Sequence, residues 1–214
     1  MPPDLVIFDC DGVLVDSEPV SNRIFVQHLE RHGIAMTVEA ALRDLAGRSL
    51  PSCVALLEER YETKLPHDFI AVLQADTMQA FASELKPVRG VAEALDRISL
   101  ATCVASSSAP AKIRLSLSLT GLLPRFDGRL FSASEVARGK PHPDLFLHAA
   151  SRMGHAPARS VVVEDAVPGV QAAVAAGMRV LAYAGAAHAD VPALRAAGGE
   201  IFTDMADLPA LLLP

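Results

Sequence analysis

The sequence predicts an α/β protein built on a parallel sheet, with an all-helical segment inserted after its first strand. Three observations carry this expectation. Short, unbroken, β-branched runs recur along the chain, the pattern of strands buried on both faces. In the second half, stretches of helical periodicity separate these runs, as βαβ units require. Residues 17 to about 85 carry helical periodicity and no convincing strand.

Leu5-Val6-Ile7-Phe8 is the first strand, closed by Asp9. Ser17 and Glu18 ahead of Pro19 mark a helix start, because the first helical N–H groups need an acceptor and proline needs none. Gly33 ends that helix; further helices are expected over Thr37 to Ala46, stopped by Gly47, and near Ser52 to Tyr61 and Pro66 to Ser83. Lys86-Pro87-Val88-Arg89-Gly90 reads as a hinge back into the alternation. Ala101 to Ala105, Ser160 to Val163 and Arg179 to Tyr183 are the remaining strands. Pro143 to Met153, Val167 to Ala176 and Asp190 to Ala197 are helices followed by Gly154, Gly177 and Gly198. Glycine suits that place because it accepts the left-handed conformation that ends a helix. The expected division is a core of residues 1–16 and 87–214 and an insert of residues 17–86. A long insertion costs little closure entropy, and one after a parallel strand sits over the usual ligand crevice.

A chain of 214 residues suits one large domain, or one domain with a smaller insert. Hydrophobic residues at 51% and charged residues at 21% exclude a disordered chain. A net charge of −6 speaks against a nucleic-acid-binding face. Cys10, Cys53 and Cys103 are too few and too scattered for a disulfide framework, which fits a reducing compartment. Charges or prolines break every apolar run before the length of about 18 residues that a membrane span needs. The start, Met1-Pro-Pro-Asp-Leu, lacks the features of a signal peptide. A cytoplasmic protein is expected, a monomer or weak homodimer, with neither nucleic acid nor membrane as partner.

The chemistry concentrates in four places. Asp9-Cys10-Asp11-Gly12 sets two carboxylates two residues apart at the end of a buried strand. They point the same way while the strand persists, and Gly12 then allows a sharp turn. Helix capping needs one carboxylate, not a pair. Val104-Ala105-Ser106 is a strand ending in a hydroxyl, and in Lys140-Pro141-His142-Pro143-Asp144 two prolines fix the backbone beside a lysine. Glu164-Asp165 closes another strand; alone, it could also serve to cap the next helix.

Together, in this order, the four motifs resemble those of the haloacid dehalogenase-like superfamily, within it the phosphatases with a small helical cap. The resemblance covers essentially the whole chain. It implies a Rossmann-like parallel sheet with helices on both faces, a helical cap, and Mg²⁺-dependent hydrolysis of a small phosphomonoester such as a sugar phosphate. By this resemblance Asp9 is the nucleophile that forms an aspartyl phosphate, and Asp11 is the general acid–base. Ser106, the N–H of Ser107 and Lys140 hold the phosphoryl group. Asp9, the backbone carbonyl of Asp11, Glu164 and Asp165 hold Mg²⁺. Arg48 and Ser49, between two cap helices, contact the substrate; Asn22 and Arg23, on the first cap helix near the hinge, are further candidates.

Relatives with other activities differ at identifiable positions. Dehalogenases lack the second aspartate of the first motif. β-Phosphoglucomutases carry a histidine and a Lys-Asn pair where this chain has Ser21, Ala109 and Pro110. Phosphonoacetaldehyde hydrolases need a cap lysine, and Lys64 stands late in the insert. A mutase, or a non-catalytic binding module on the same fold, remains the alternative.

Overall fold

The computed structural model describes residues 3–45, 49–186 and 189–213. The chain divides into two compact units, Met1–Asp16 with Lys86–Pro214, and Ser17–Leu85.

The first unit is built on a six-stranded sheet in the order β3-β2-β1-β4-β5-β6, every pairing parallel. The strands are β1 (Leu5–Phe8), β2 (Ala101–Ser106), β3 (Leu130–Ser132), β4 (Ser160–Glu164), β5 (Arg179–Tyr183) and β6 (Glu200–Phe202). Side chains alternate across the sheet. Leu5 and Ile7 join Cys103, Ala105, Val162, Val180 and Ala182 on one face. That face is covered by Leu145, Phe146 and Ala149 of α7 (Asp144–Met153), Val170 and Ala173 of α8 (Val167–Ala175) and Leu194 of α9 (Val191–Ala196). Phe8 points to the other face, where its ring meets that of Phe126 edge-on at 5.9 Å. Helices α5 (Val91–Asp96), α6 (Pro110–Leu119) and α10 (Leu208–Leu211) complete the unit.

Two of the six strands, β3 and β6, have no counterpart in the sequence reading. Each has three residues, too few to display a period. They form because β2 and β5 offer them unpaired edges to complete.

The second unit is helical: α1 (Glu18–Arg31), α2 (Val38–Leu45), α3 (Leu50–Arg60) and α4 (Phe69–Glu84). Ile24, Phe25 and Leu29 of α1, with Phe69, Leu73 and Phe81 of α4, are buried. Polar pairs fix the α1–α4 packing: His28 Nε2 lies 2.9 Å from Asp76 Oδ2, and Arg23 reaches both oxygens of Glu84 at 2.7 Å. Helix α3 starts at Leu50, earlier than expected, because the Ser49 hydroxyl accepts the N–H of Ser52 at 3.3 Å. Among the described residues, no helix is long and apolar enough to cross a membrane.

Candidate active site

The strand order reverses direction beside β1, which lies between β2 and β4. In open parallel sheets ligands bind outside the carboxyl ends of the strands at such a point. Asp9 follows β1, Ser106 ends β2 and Glu164 ends β4, so three of the four motifs meet there. The Asp9 N–H donates to the Val163 carbonyl at 2.9 Å, which carries the ladder one residue past the strand. The chain then folds back. Gly12 adopts φ +79°, and the N–H groups of Leu14 and Val15 both donate to the Cys10 carbonyl at 3.0 Å. This turn keeps Asp11 beside the sheet end.

The buried half of the site is organised by Lys140. Its Nζ donates to Asp9 Oδ1 and to Glu164 Oε1, each at 2.6 Å. The other oxygen of Glu164 accepts the N–H groups of Asp165 and Ala166, both at 2.8 Å. Glu164 therefore ties the lysine to the backbone that leads into α8. A Cβ on Gly169 would lie 1.7 Å from Glu164 Oε1, so only glycine leaves this carboxylate its place. Burial raises the Asp9 carboxyl to about 7 against the pull of Lys140, with Glu164 and Asp11 adding to the rise. Burial would by itself lower Lys140, but Asp9 and Glu164 outweigh it and hold the ammonium above its ordinary value. Burial is thus the main reason the Asp9 value is high, and the charge of Glu164, which shares the one ammonium, adds to it.

The half-exposed part is built on Asp11. Its Oδ2 accepts from Ser108 Oγ at 2.8 Å and from Lys112 Nζ at 2.9 Å, and Lys112 Nζ also reaches Ser108 Oγ at 3.1 Å. Ser106 Oγ accepts the Ser108 N–H at 3.1 Å, which shapes the turn out of β2. Helix α6 begins only at Pro110, so the residues just after Ser106 form a loop rather than a helix N-terminus.

Among the described residues, one group of carboxylates has the spacing of a metal site: Asp9, Glu164 and Asp165, with ligand atoms all within 4.8 Å of one another. Two further observations fit a cation there. A Cβ at Gly12 would fall 1.9 Å from Asp165 Oδ2, so the turn holds a space that this carboxylate fills. Asp9, Asp11, Glu164 and Asp165 face two ammonium groups, Lys112 and Lys140, which leaves a formal excess of two negative charges. An all-oxygen set with this excess suits a hard divalent cation.

Asp9, Asp11, Ser106, Lys140, Glu164 and Asp165 thus lie at one end of one sheet. Ser107 is exposed in the loop after β2. Ser49 belongs to the helical unit, where its hydroxyl caps α3 and lies 2.8 Å from Ser52 Oγ. Arg23 is held by Glu84. Arg48 lies outside the described residues. Lys112 had no signal in the motifs, and Ser108 reads from sequence only as a helix cap. Their spacing of four residues gives no clue by itself, because Ser108 precedes the helix that starts at Pro110.

Residues 3–177 match the family described as haloacid dehalogenase-like hydrolase. The chain is 31% identical over 186 residues to the 6-phosphogluconate phosphatase of Escherichia coli (strain K12), covering 86% of this chain and 84% of that protein. It is 33% identical over 181 residues to a phosphorylated carbohydrates phosphatase of Thermotoga maritima, covering 82% of each. Among solved structures it resembles a haloacid dehalogenase-like protein of unknown function from Agrobacterium tumefaciens. That likeness has a TM-score of 0.91 and 35% identity, over 98% of this chain and 97% of the other.

Proposed function

The chain belongs to the haloacid dehalogenase-like hydrolase family, and we propose that it is a Mg²⁺-dependent phosphatase of small phosphorylated sugars that works through an aspartyl phosphate on Asp9. The observation that carries this reading is the Asp9 carboxylate, clamped by Lys140 beside Glu164 and Asp165 at the switch point of the sheet. The substrate class rests on relatives that bear the names of phosphogluconate and carbohydrate phosphatases.

Asp9, Glu164, Asp165 and the Asp11 backbone carbonyl would hold Mg²⁺, whose charge offsets that of the phosphoryl oxygens when bound. Asp9 attacks phosphorus with a carboxylate oxygen, which needs no base to activate it. Lys140 and the Ser106 hydroxyl hold phosphoryl oxygens. As the ester P–O bond breaks, Asp11 gives its proton to the departing oxygen, which leaves as an alcohol. Asp11, now ionised, takes a proton from water as that water attacks phosphorus; phosphate leaves and Asp9 is restored. Chelation should abolish turnover and Mg²⁺ should restore it, while a panel of phosphorylated metabolites identifies the substrate. Full turnover after exhaustive chelation contradicts the metal requirement.

One observation favours a second reading, a phosphosugar mutase. Lys112 supplies an ammonium two residues beyond Pro110, near the positions that the mutase pattern fills with Lys-Asn. It is paired with Asp11, however, so the phosphatase is preferred. Phosphorus NMR on β-glucose 1-phosphate with a bisphosphate activator separates the two. Inorganic phosphate is expected as the dominant product, and faster accumulation of glucose 6-phosphate would establish the mutase.

A further inference from the structure

We propose that Lys112, together with Ser108, is a positioning residue that fixes the Asp11 carboxylate in the orientation from which it protonates the leaving oxygen. The inference rests on the reading of Asp11 as the general acid.

Asp11 lies beyond the end of β1 and its side chain is 26% exposed. Its backbone bridges to that of Val15, but the side chain is not deeply buried. Its Oδ2 is held in a closed triangle: Asp11 Oδ2, Ser108 Oγ and Lys112 Nζ, with sides of 2.8, 2.9 and 3.1 Å. The triangle stands on a rigid base. The Ser108 N–H donates to Ser106 Oγ at the end of β2, and the Ser108 carbonyl accepts from Ser132 Oγ at the end of β3, at 2.8 Å. The Ser132 N–H in turn donates to Glu135 at 2.7 Å. Lys112 rides on the first turn of α6, whose start is fixed by Pro110.

Lysine carries three donors and no acceptor. Against its ammonium, Asp11 Oδ2 can only accept, so the proton of the carboxyl form belongs on Oδ1. Holding Oδ2 therefore sets where Oδ1 points. In the first chemical step the Asp9–P bond forms and the ester P–O bond breaks. The electron pair goes to the leaving oxygen, which takes the proton from Oδ1. The negative charge that remains on Asp11 develops beside Lys112.

A misaligned acid harms substrates in proportion to their need for its proton. The test uses a series of alkyl and aryl phosphates with uncharged leaving groups of widely ranging basicity, together with a few that carry a second anionic group, assayed at one pH with saturating Mg²⁺. The readout is kcat/KM, which reports only the steps through formation of the aspartyl phosphate. Lys112→Met should lower kcat/KM by about 10- to 100-fold for alkyl phosphates and by much less for nitrophenyl phosphate. The plot against leaving-group basicity then becomes steeper. Lys112→Arg, which keeps a donor, should restore most of the wild-type slope; circular dichroism and the urea midpoint verify that both variants fold. An equal loss for every substrate, with the slope unchanged, overturns the proposal. So does a loss confined to substrates with a second anionic group, which would make Lys112 a substrate anchor. Asp11→Asn is run beside them: if it also leaves the slope unchanged, the general-acid reading itself fails. If Asp11→Asn steepens the slope and Lys112→Met does not, only the role of Lys112 falls.

Discussion

Lys140 and Lys112 reach the same end of the sheet from different elements and meet carboxylates in contrasting surroundings. The side chain of Lys140 is 6% exposed and bridges Asp9 and Glu164, which are also buried. The side chain of Lys112 is 33% exposed and shares Asp11 with a serine hydroxyl. Coulomb attraction is far stronger where water is excluded, and the penalty for stranding a charge is larger there too. Lys140 therefore belongs to the stability of the folded core as well as to its chemistry. Screening by water leaves Lys112 little stabilising energy, so its effect should be read in rate.

The sharpest contrast comes from deleting each ammonium at pH 8, where Asp9 is ionised. Lys140→Met strands two buried carboxylates and should cost about 3–5 kcal/mol in urea denaturation, with loss of activity. Lys112→Met should cost about 1 kcal/mol or less. Equal costs would erase the distinction between the two surroundings.

The two glycines of the site sharpen the same contrast. Gly169→Ala drives a methyl group into the buried Glu164 carboxylate, and Gly12→Ala drives one into Asp165 and adds the strain of a positive φ. Each should cost about 1–3 kcal/mol, and both should weaken Mg²⁺ binding, measured by calorimetry. Unchanged affinity in both variants would detach these carboxylates from the metal.

The raised Asp9 carboxyl gives a pH signature, measured in chelator. In the unfolded chain Asp9 ionises near 3.8; in the fold it ionises at about 7. Its contribution to stability is thus fully present below about 3.8 and is lost as pH rises to about 7. Asp9→Asn removes that loss, so the variant should gain on the wild type by about 1–4 kcal/mol between pH 4 and 7. Parallel stability curves for the two proteins would show that Asp9 is not held this way.

The smallest effect is expected in the helical unit. Ser49→Ala removes the cap of α3 and should cost about 0.5–1 kcal/mol, seen as a small drop in Tm. No change would mean that the bond to Ser52 contributes nothing.

What was legible in the sequence follows from range. Leu5–Phe8 and Ser160–Glu164 announce themselves because strands buried on both faces need continuous apolar runs. The Asp9–Asp11 and Glu164–Asp165 pairs are visible as carboxylates where an apolar run stops. The edge strands Leu130–Ser132 and Glu200–Phe202 exist through their neighbours, so no local pattern records them. Lys112 and Asp11 stand 101 residues apart, and a lysine on a short helix looks like any solvated charge until the fold brings the two together. Lys140 stands out in the sequence only through the prolines beside it and the order of the motifs; its closeness to Asp9 is as illegible locally as that of Lys112 to Asp11.

The measurement closest to the central claim is the identity of the phosphorylated residue. Rapid acid quench during turnover of an activated aryl phosphate, followed by mass spectrometry, should find the phosphoryl group on Asp9, and Asp9→Asn should abolish the adduct. Asp11→Asn should still form some adduct while hydrolysing it about 10²- to 10⁴-fold more slowly. A phosphoryl group on Asp11, or on a serine such as Ser106, would contradict the account.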